Sequence, residues 1–166
     1  MKYNANKDLV MGDELYLYIF TPNSAITAST NFTSANTEVL AFATSCSLQI
    51  DGETVDTSNK MSCVWSSVLL GKNSYTVSAD ALYTDAEGAY SFDSLLEDMV
   101  SREAIGWAIA QPTSAATCAD NEFFIDNTKV VAWGEGYVTS LSLSAGNAEA
   151  SSCSITINGS GEIRTD

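Results

Sequence analysis

The 166-residue chain contains no histidine, and this absence excludes more chemistry than any other feature of its composition. Without an imidazole, the chain lacks the usual general base near neutral pH, the Ser-His-Asp and Cys-His catalytic arrangements and the commonest zinc ligand. It also has no GxxxxGK[ST] phosphate loop, and Gly134-Glu135-Gly136 is too short a glycine pattern to indicate a nucleotide site. We therefore expect neither enzymatic activity nor a cofactor.

Basic residues are scarce as well. Only 7 lysines and arginines stand against 21 acidic residues, which gives a formal net charge of −14. Because nucleic-acid binding needs clustered basic side chains, this balance disfavours an ordinary DNA-binding module. The acidic stretch Asp51-Gly52-Glu53 lacks the regular ligand spacing of a calcium loop, so we predict no metal site. No apolar run approaches the roughly 18 residues of a membrane span, so we expect no membrane partner.

The four cysteines, Cys46, Cys63, Cys118 and Cys153, show no CxxC spacing. Cys46 and Cys153 occupy apolar positions of alternating, strand-like runs. This placement favours buried reduced thiols over a disulfide framework.

Length and composition predict a single domain over residues 1–166, since 45% of the residues are hydrophobic and 10% are aromatic. Residues 1–14 are polar and charged, and we interpret them as an N-terminal arm. Residues 21–38 are rich in Ser, Thr, Asn and Ala, and we interpret them as a loop. Between them, residues 15–20 are apolar on both faces, which predicts a strand whose second face is covered by another element or another subunit.

The centre of the chain contains two runs in which apolar and polar residues alternate, residues 42–50 and 75–82. Period-2 alternation is typical of strands with one buried face. The polar residues 51–64 between them predict a long inter-strand loop, and loops of that length are usually functional or disordered.

The rest of the chain predicts further strands and one helix. An apolar stripe with helical spacing covers residues 91–103, with Ser91 as the candidate N-cap. Gly134 and Gly136 interrupt a strand-like run and indicate a bulge or the close approach of another backbone. Together, these segments predict a mainly β fold, an antiparallel sandwich or barrel of about seven strands with one flanking helix.

Several of these segments, taken in order, resemble the major tail tube proteins of long-tailed bacteriophages. The resemblance rests on an alternating strand, an acid- and threonine-containing segment, a tryptophan, a Leu-Gly-Lys turn, a second alternating strand, a leucine-bearing helix and two C-terminal runs. These are residues 43–50, 53–60, Trp65, 70–72, 75–82, 92–100, 134–143 and 155–161.

The resemblance implies a structural virion protein of the phage tail, made and assembled in the cytoplasm of the bacterial host. Its copies would form stacked hexameric rings, a hollow tube through which DNA passes without specific binding, together with tail proteins such as the tape-measure protein and the tail terminator. Residues expected to contact other subunits and rings are Asp51, Glu53, Thr54, Asp56, Lys60 and Trp65. Ser78 and Asp80, on the polar side of the second alternating run, are expected to face the lumen.

Two other functions remain open at this point. The first is the inner-tube protein of a contractile injection or secretion system, which would have the same fold but belong to a different assembly. A β-sandwich adhesin or carbohydrate-binding module would instead expose an aromatic platform that binds glycans.

Overall fold

The computed structural model describes residues 10, 14–22, 26–33, 35–40, 43–59, 65–84, 90–113, 123–147 and 149–165. The described chain contains seven strands and one α-helix, which confirms the predicted mainly β fold with a flanking helix. In chain order they are β1 (Tyr16–Phe20), β2 (Thr37–Val39), β3 (Ala43–Asp56), β4 (Val68–Leu82), α1 (Phe92–Ser101), β5 (Ile105–Pro112), β6 (Ile125–Ser144) and β7 (Ser152–Arg164). The predictions for Lys60, Cys63, Cys118 and most of the 1–14 arm lie outside the described residues.

The seven strands belong to one antiparallel sheet in the order β2-β1-β5-β6-β7-β4-β3. The sheet is rolled, because the rings of Tyr75 in β4 and Trp107 in β5 are 5.5 Å apart although β6 and β7 lie between their strands. β1 and β3 consequently face each other across a cavity of about 540 Å³. We call this cavity the seam; its lining includes Leu15, Leu17, Ala43 and Cys46. The predicted sandwich or barrel therefore takes the form of a single sheet that curls without closing.

Both faces of the sheet carry a hydrophobic core. The inner core fills the rolled sheet and contains the alternating residues of β4 and β7, including Val77, Ile155 and Ile157. The outer core covers the opposite face of β1, β5 and β6. Ile26 and Phe32, from the segment between β1 and β2, pack onto the sheet there. β1 contributes to both cores, which explains why its sequence is apolar on both faces.

The helix α1 forms where its apolar stripe was predicted. The Ser91 side chain accepts a hydrogen bond from the Ser94 amide at 3.5 Å, and Arg102 ends the helix in the left-handed conformation. Leu95 is fully buried in the inner core, while Val100 points outward. No helix in the described part of the chain combines the length and apolarity that crossing a membrane would require.

Three local predictions were wrong. Residues 51–56 were predicted as loop but form the second half of β3, and residues 70–72, predicted as a turn, lie within β4. These segments pair with each other, so ladder hydrogen bonds rather than burial hold them extended. The end of the predicted 21–38 loop belongs to β2, which is short and pairs with Tyr18–Phe20.

Candidate functional site

Four neighbouring strands, β3, β4, β7 and β6, expose a face of small polar side chains opposite the inner core. Their register aligns these side chains in rows across the sheet, and we call this surface the polar face. One row is Ser45, Asp80, Ser154 and Ser142; the next is Ser47, Ser78, Thr156 and Ser140; a third is Gln49, Thr76, Asn158 and Tyr137. These three rows contain one carboxylate and no lysine or arginine.

Asp80 is the charged centre of the polar face. Its carboxylate accepts one hydrogen bond from the Ser154 hydroxyl at 2.7 Å and another from the Ser45 hydroxyl at 2.9 Å. The Ser154 and Ser45 hydrogen bonds lower the pKa of the Asp80 carboxyl, because they favour its ionised form. Asp80 therefore presents a fixed negative charge to the solvent.

Three other hydroxyl groups of the polar face donate hydrogen bonds within the sheet. The Ser47 hydroxyl donates to the Ser78 carbonyl at 3.4 Å, and Thr139 donates to the Thr156 carbonyl at 3.3 Å. Thr76 donates to the side-chain oxygen of Asn158 at 3.3 Å. Hydroxyl groups that already donate locally leave a smooth polar surface with few free donors for a ligand.

A second exposed feature extends from the end of the same sheet. β4 pairs with β7 only from Thr76 to Leu82, so residues 68–74 of β4 pair only with residues 51–56 of β3 within the described chain. We call this two-stranded segment the ribbon. Every residue of the ribbon is exposed. An isolated two-stranded ribbon is marginally stable in water, so this length of paired strand is suited to contact another molecule.

The ribbon exposes several apolar side chains beside its acidic ones. Among its exposed apolar side chains, Leu70 has 77% of its surface accessible, and Val68 and Leu69 are also exposed. Trp65, just before β4, is 81% accessible. An exposed apolar group of this size typically marks an interaction surface.

Most of the predicted subunit-contact residues lie together in this ribbon. Asp51 pairs with Ser74, Thr54 with Leu70, and Asp56 with Val68, while Glu53 lies at a bulge between the paired positions. The Ser58 amide donates to the Asp56 carboxylate at 2.7 Å; hydrogen bonding from Ser58 lowers the pKa of this carboxyl. The structure thus brings Asp51, Glu53, Thr54 and Asp56 onto one projecting element.

Sequence reasoning missed the apolar residues Val68, Leu69 and Leu70, which dominate the exposed surface of the ribbon. Their signal in the sequence is a short apolar run between two polar stretches, of which only Leu70 was assigned a role, in the predicted turn. Ser78 and Asp80, by contrast, lie on the polar face where alternation placed them. Their partners on β7 became identifiable only through the strand register.

The described residues contain no group of three or more His, Cys, Asp or Glu side chains arranged to hold a metal ion. Cys46 is partly buried and Cys153 is buried, and both thiols are free. Burial raises the pKa of each thiol, as expected for cysteines that pack as small apolar residues.

Comparison with known proteins gives a family for this chain. Residues 23–165 match the family model described as Phage tail tube protein. A comparison with curated proteins gives no match.

Several solved structures share the fold at low sequence identity. The tail of an empty gene transfer agent particle, refined with C6 symmetry, is 14% identical, with a TM-score of 0.68 over 95% of this chain and 99% of that chain. The SPP1 tail tube is 13% identical, with a TM-score of 0.63 over 95% of this chain and 80% of that chain. A sheath-tube complex of the extracellular contractile injection system PVC is 12% identical, with a TM-score of 0.55 over 98% and 95% of the two chains.

These structures support the fold, and the family model supplies the identity, because its match extends over most of the sequence, including the polar face and the ribbon. The chain belongs to the phage tail tube protein family, whose members are structural subunits of the tail tube.

Proposed function

We propose that copies of this chain form six-membered rings that stack into a hollow tube, and that DNA passes through the tube without specific binding. The observation that carries this proposal is the polar face, a broad exposed sheet surface with one fixed carboxylate and no basic side chain in its three rows. The six-fold arrangement is supported by the C6 symmetry of the similar gene transfer agent tail. The protein acts by assembly and electrostatics, with no catalytic step.

The polar face is suited to line the lumen. Asp80 is ionised at neutral pH, so it repels phosphates. The side chains in the rows are short, and the hydroxyl groups of Ser45, Ser47 and Ser154 donate within the sheet, so they are not available to DNA. A channel wall of this kind guides a polyanion without retaining it, since retention depends on neutralising phosphates with basic side chains.

Two open strand edges support ring formation by sheet pairing between copies. Among the described residues, no strand pairs with the outer edge of β3, and β6 from 137 to 144 pairs only with β7. β3 and this part of β6 border the polar face on opposite sides. Pairing the β3 edge of one copy with the β6 edge of the next would extend the polar face around a ring and remove both open edges.

The ribbon is suited to connect one ring to the next. It extends about 20 Å beyond the four-stranded part of the sheet, given the rise of ~3.3 Å per residue from Ile50 to Asp56. The contact residues that we propose are Asp51, Glu53, Thr54 and Asp56 of the ribbon and the adjoining Lys60 and Trp65.

The proposed partners beyond self-assembly are tail proteins at the tube ends and inside it, such as a terminator and a tape-measure protein. A sheath/tube terminator structure of the PVC system shares the fold, at 12% identity and a TM-score of 0.54. The proposed location is the virion tail, after assembly in the cytoplasm of the bacterial host.

A second candidate is the inner tube of a contractile injection system. The likeness to the PVC sheath-tube complex favours it, because that tube is enclosed by a sheath. Genes for a sheath and an ATPase beside this one would support the second candidate, whereas a tape-measure gene without a sheath gene would support the first.

Electron microscopy of the concentrated protein tests the proposal. We expect hollow tubes whose rings show six-fold symmetry in cross-section and whose axial repeat is one ring. The replacement Val100→Ser, on the exposed side of α1, is a control that should leave the tubes unchanged. A wild-type protein that remains monomeric at every concentration, including in mixtures with tail proteins from its own virus, would rule out the proposal.

A further inference from the structure

A short segment of the chain between β1 and β2 covers the outer core. We call this segment, residues 26–33, the strap. Hydrogen bonds within the strap give it a compact shape. The Asn31 amide donates to the Ala28 carbonyl and the Phe32 amide to the Ser29 carbonyl, each at 3.0 Å. The Ala28 amide donates to the Asn31 side chain at 3.2 Å, so the strap contacts the sheet as one piece.

Aromatic side chains form the contact between the strap and the sheet. The Phe32 ring of the strap lies 5.1 Å from the Phe20 ring and meets the Trp133 ring edge-on at 5.4 Å. These three side chains are buried, as are Ile26 of the strap and Tyr18 of β1. Without the strap, this surface would be an exposed aromatic patch of the kind that makes proteins associate.

The side chain of Arg164, at the end of β7, links the strap to this aromatic cluster. Its guanidinium lies over the Trp133 ring at 4.7 Å from the ring centroid, where cation–π attraction holds it. Its Nη1 donates to the Ile26 carbonyl at 3.3 Å. A cavity of about 370 Å³ lies between Thr27 and Ala28 of the strap and the end of β7, so Arg164 reaches across an opening.

A β-bulge directs Arg164 toward Trp133. Between the pairs Glu135–Ser160 and Trp133–Arg164, β6 advances from 135 to 133 while β7 advances from 160 to 164, so β7 carries extra residues. Gly161 lies in this bulge with a φ of +85°, a conformation that favours glycine. The sequence at the end of β7 therefore places an arginine beside the indole that the strap covers.

The strap and the polar face lie on opposite sides of the subunit. The polar face belongs to β3, β4, β7 and the end of β6, whereas the strap covers β1, β5 and the first part of β6. These two parts of the rolled sheet enclose the inner core, where Tyr75 meets Trp107. In the proposed tube, whose lumen the polar face lines, the strap therefore lies on the outer wall. Its exposed side chains include Thr27, Thr30 and Thr33, which are polar and uncharged.

We propose that Arg164 is a clasp that keeps the strap closed over the aromatic cluster, and that the closed strap prevents tubes from associating side by side. The place of the strap on the tube rests on the proposed function, whereas the clasp is a property of the single subunit. An open strap would expose Phe20, Phe32 and Trp133 on every copy along the outer wall. Apolar patches that repeat along two filaments bind each other strongly, because many weak contacts act together.

Hydrogen exchange of the unassembled chain, followed by mass spectrometry, tests the clasp. Arg164→Ala should raise the exchange rate of the strap by about tenfold, because both the cation–π contact and the hydrogen bond are lost. Arg164→Lys keeps a cation and a donor, so it should restore most of the protection. The matched control is Lys129→Ala, which removes the same charge from β6, where Lys129 pairs with Asp126. This control should exchange as the wild type does.

Unchanged exchange of the strap in Arg164→Ala would overturn the clasp. If that variant does not fold, Gly161→Ala decides the question, because alanine at a positive φ disturbs the bulge and leaves the arginine in place. Equal acceleration in the strap and in residues 153–157 of the inner core would also overturn the clasp, since it would report a general loss of stability. Faster exchange of the strap in Lys129→Ala would assign the effect to net charge instead.

Electron microscopy of assembled tubes tests the protective role of the strap. At high salt, where repulsion between the acidic tubes is screened, Arg164→Ala tubes should form side-by-side bundles, and wild-type and Lys129→Ala tubes should stay separate. Separate Arg164→Ala tubes whose straps exchange rapidly would overturn the protective role. Failure of the wild-type chain to form tubes would overturn the proposed function itself, and the exchange measurement would still decide whether Arg164 holds the strap.

Discussion

The carboxylate of Asp80 is held by two hydroxyl groups from two different strands, Ser45 on β3 and Ser154 on β7. Hydrogen bonds to a carboxylate favour its charged form, and they lower the pKa of Asp80 although the side chain is exposed to water. The row of residues across the polar face thus stabilises the ionised form of the one acid in the three rows.

Replacing Ser154 with Ala should raise the pKa of Asp80 toward the ordinary aspartate value of about 3.9. The physical reason is the loss of the larger of the two stabilising hydrogen bonds. Titration followed by NMR of the side-chain carboxyl groups of the unassembled protein measures this change. Asp126 is the internal reference, because Thr128 lowers the pKa of Asp126 independently of the polar face. An unchanged Asp80 pKa in the variant would show that Ser154 does not stabilise the charge.

Tyr75 fixes the inside of the same sheet through its contact with two glycines. Its hydroxyl donates to the Glu135 carbonyl at 2.7 Å, and its ring lies against the backbone at Gly134 and Gly159. A Cβ atom at Gly159 would overlap the Tyr75 ring, and one at Gly134 would lie 2.7 Å from the Tyr75 hydroxyl oxygen. The prediction for the glycines of β6 is confirmed: the register with β7 shifts between Trp133 and Glu135, and a Cβ atom at Gly136 would lie 2.5 Å from the Asn158 carbonyl oxygen.

Gly159→Ala should lower the free energy of unfolding by about 1–3 kcal/mol, because the ring has to move within a packed core. Chemical denaturation of the unassembled chain, followed by circular dichroism, measures the loss. The matched control is Gly52→Ala in the ribbon, where the nearest atom to an added Cβ is the flexible Asn73 side chain at 3.3 Å. Equal stability of the two variants would mean that the Tyr75 contact is loose.

At the scale of elements, α1 contributes one fully buried side chain to the inner core, with Phe92 packed beside the core and partly buried. Leu95 has 0% of its surface accessible and belongs to the inner core, whereas Val100, on the same helix, is 75% accessible. Leu95→Ala should cost about 2–5 kcal/mol of folding free energy, since it leaves a cavity in the inner core. Val100→Ala should change the stability by no more than about 0.5 kcal/mol. Thermal unfolding of both variants distinguishes a docked helix from one that is merely adjacent to the sheet.

Elements that bury one face could be predicted from the sequence. Cys153, Ile155 and Ile157 alternate along β7 and all enter the inner core, and the stripe of α1 places Leu95 there as well. The ribbon could not be predicted in this way, because all its residues are exposed and no alternation separates two environments. Its extended conformation depends on pairing with a distant segment, which is information that a local pattern does not contain.

The candidate site likewise contains one part that the sequence predicted and one part that it did not. The polar side of β4, with Ser78 and Asp80, followed from alternation, because one side of that strand is apolar. The seam was beyond prediction, since it arises where the rolled sheet brings β1 to β3 without hydrogen-bonding the two strands to each other. Closure of this kind is a property of the whole sheet rather than of any segment.

At the scale of the whole molecule, the acidic composition affects both the assembly of identical copies and the passage of DNA. A net charge of −14 per copy opposes close packing of identical subunits and also repels DNA. The structure separates the two effects in space: the exposed ribbon residues 68–70 are uncharged, and the fixed charge of Asp80 lies on the polar face. This separation leads to a prediction about DNA that depends on where a charge is placed rather than on the net charge.

Tubes of an Asp80→Lys variant should retain short DNA fragments that wild-type tubes release, because each copy then presents an ammonium group to the lumen. Binding through phosphate neutralisation weakens steeply with salt, so the retained DNA should dissociate as the salt concentration rises. Fluorescence anisotropy of labelled DNA, measured across a salt series, reports both effects. Glu97→Lys is the matched control: it makes the same change of charge on α1, which packs against the opposite face of the sheet from Asp80. If both variants retain DNA equally, the polar face does not line the channel; retention by Asp80→Lys alone assigns the lumen to β3, β4, β7 and β6.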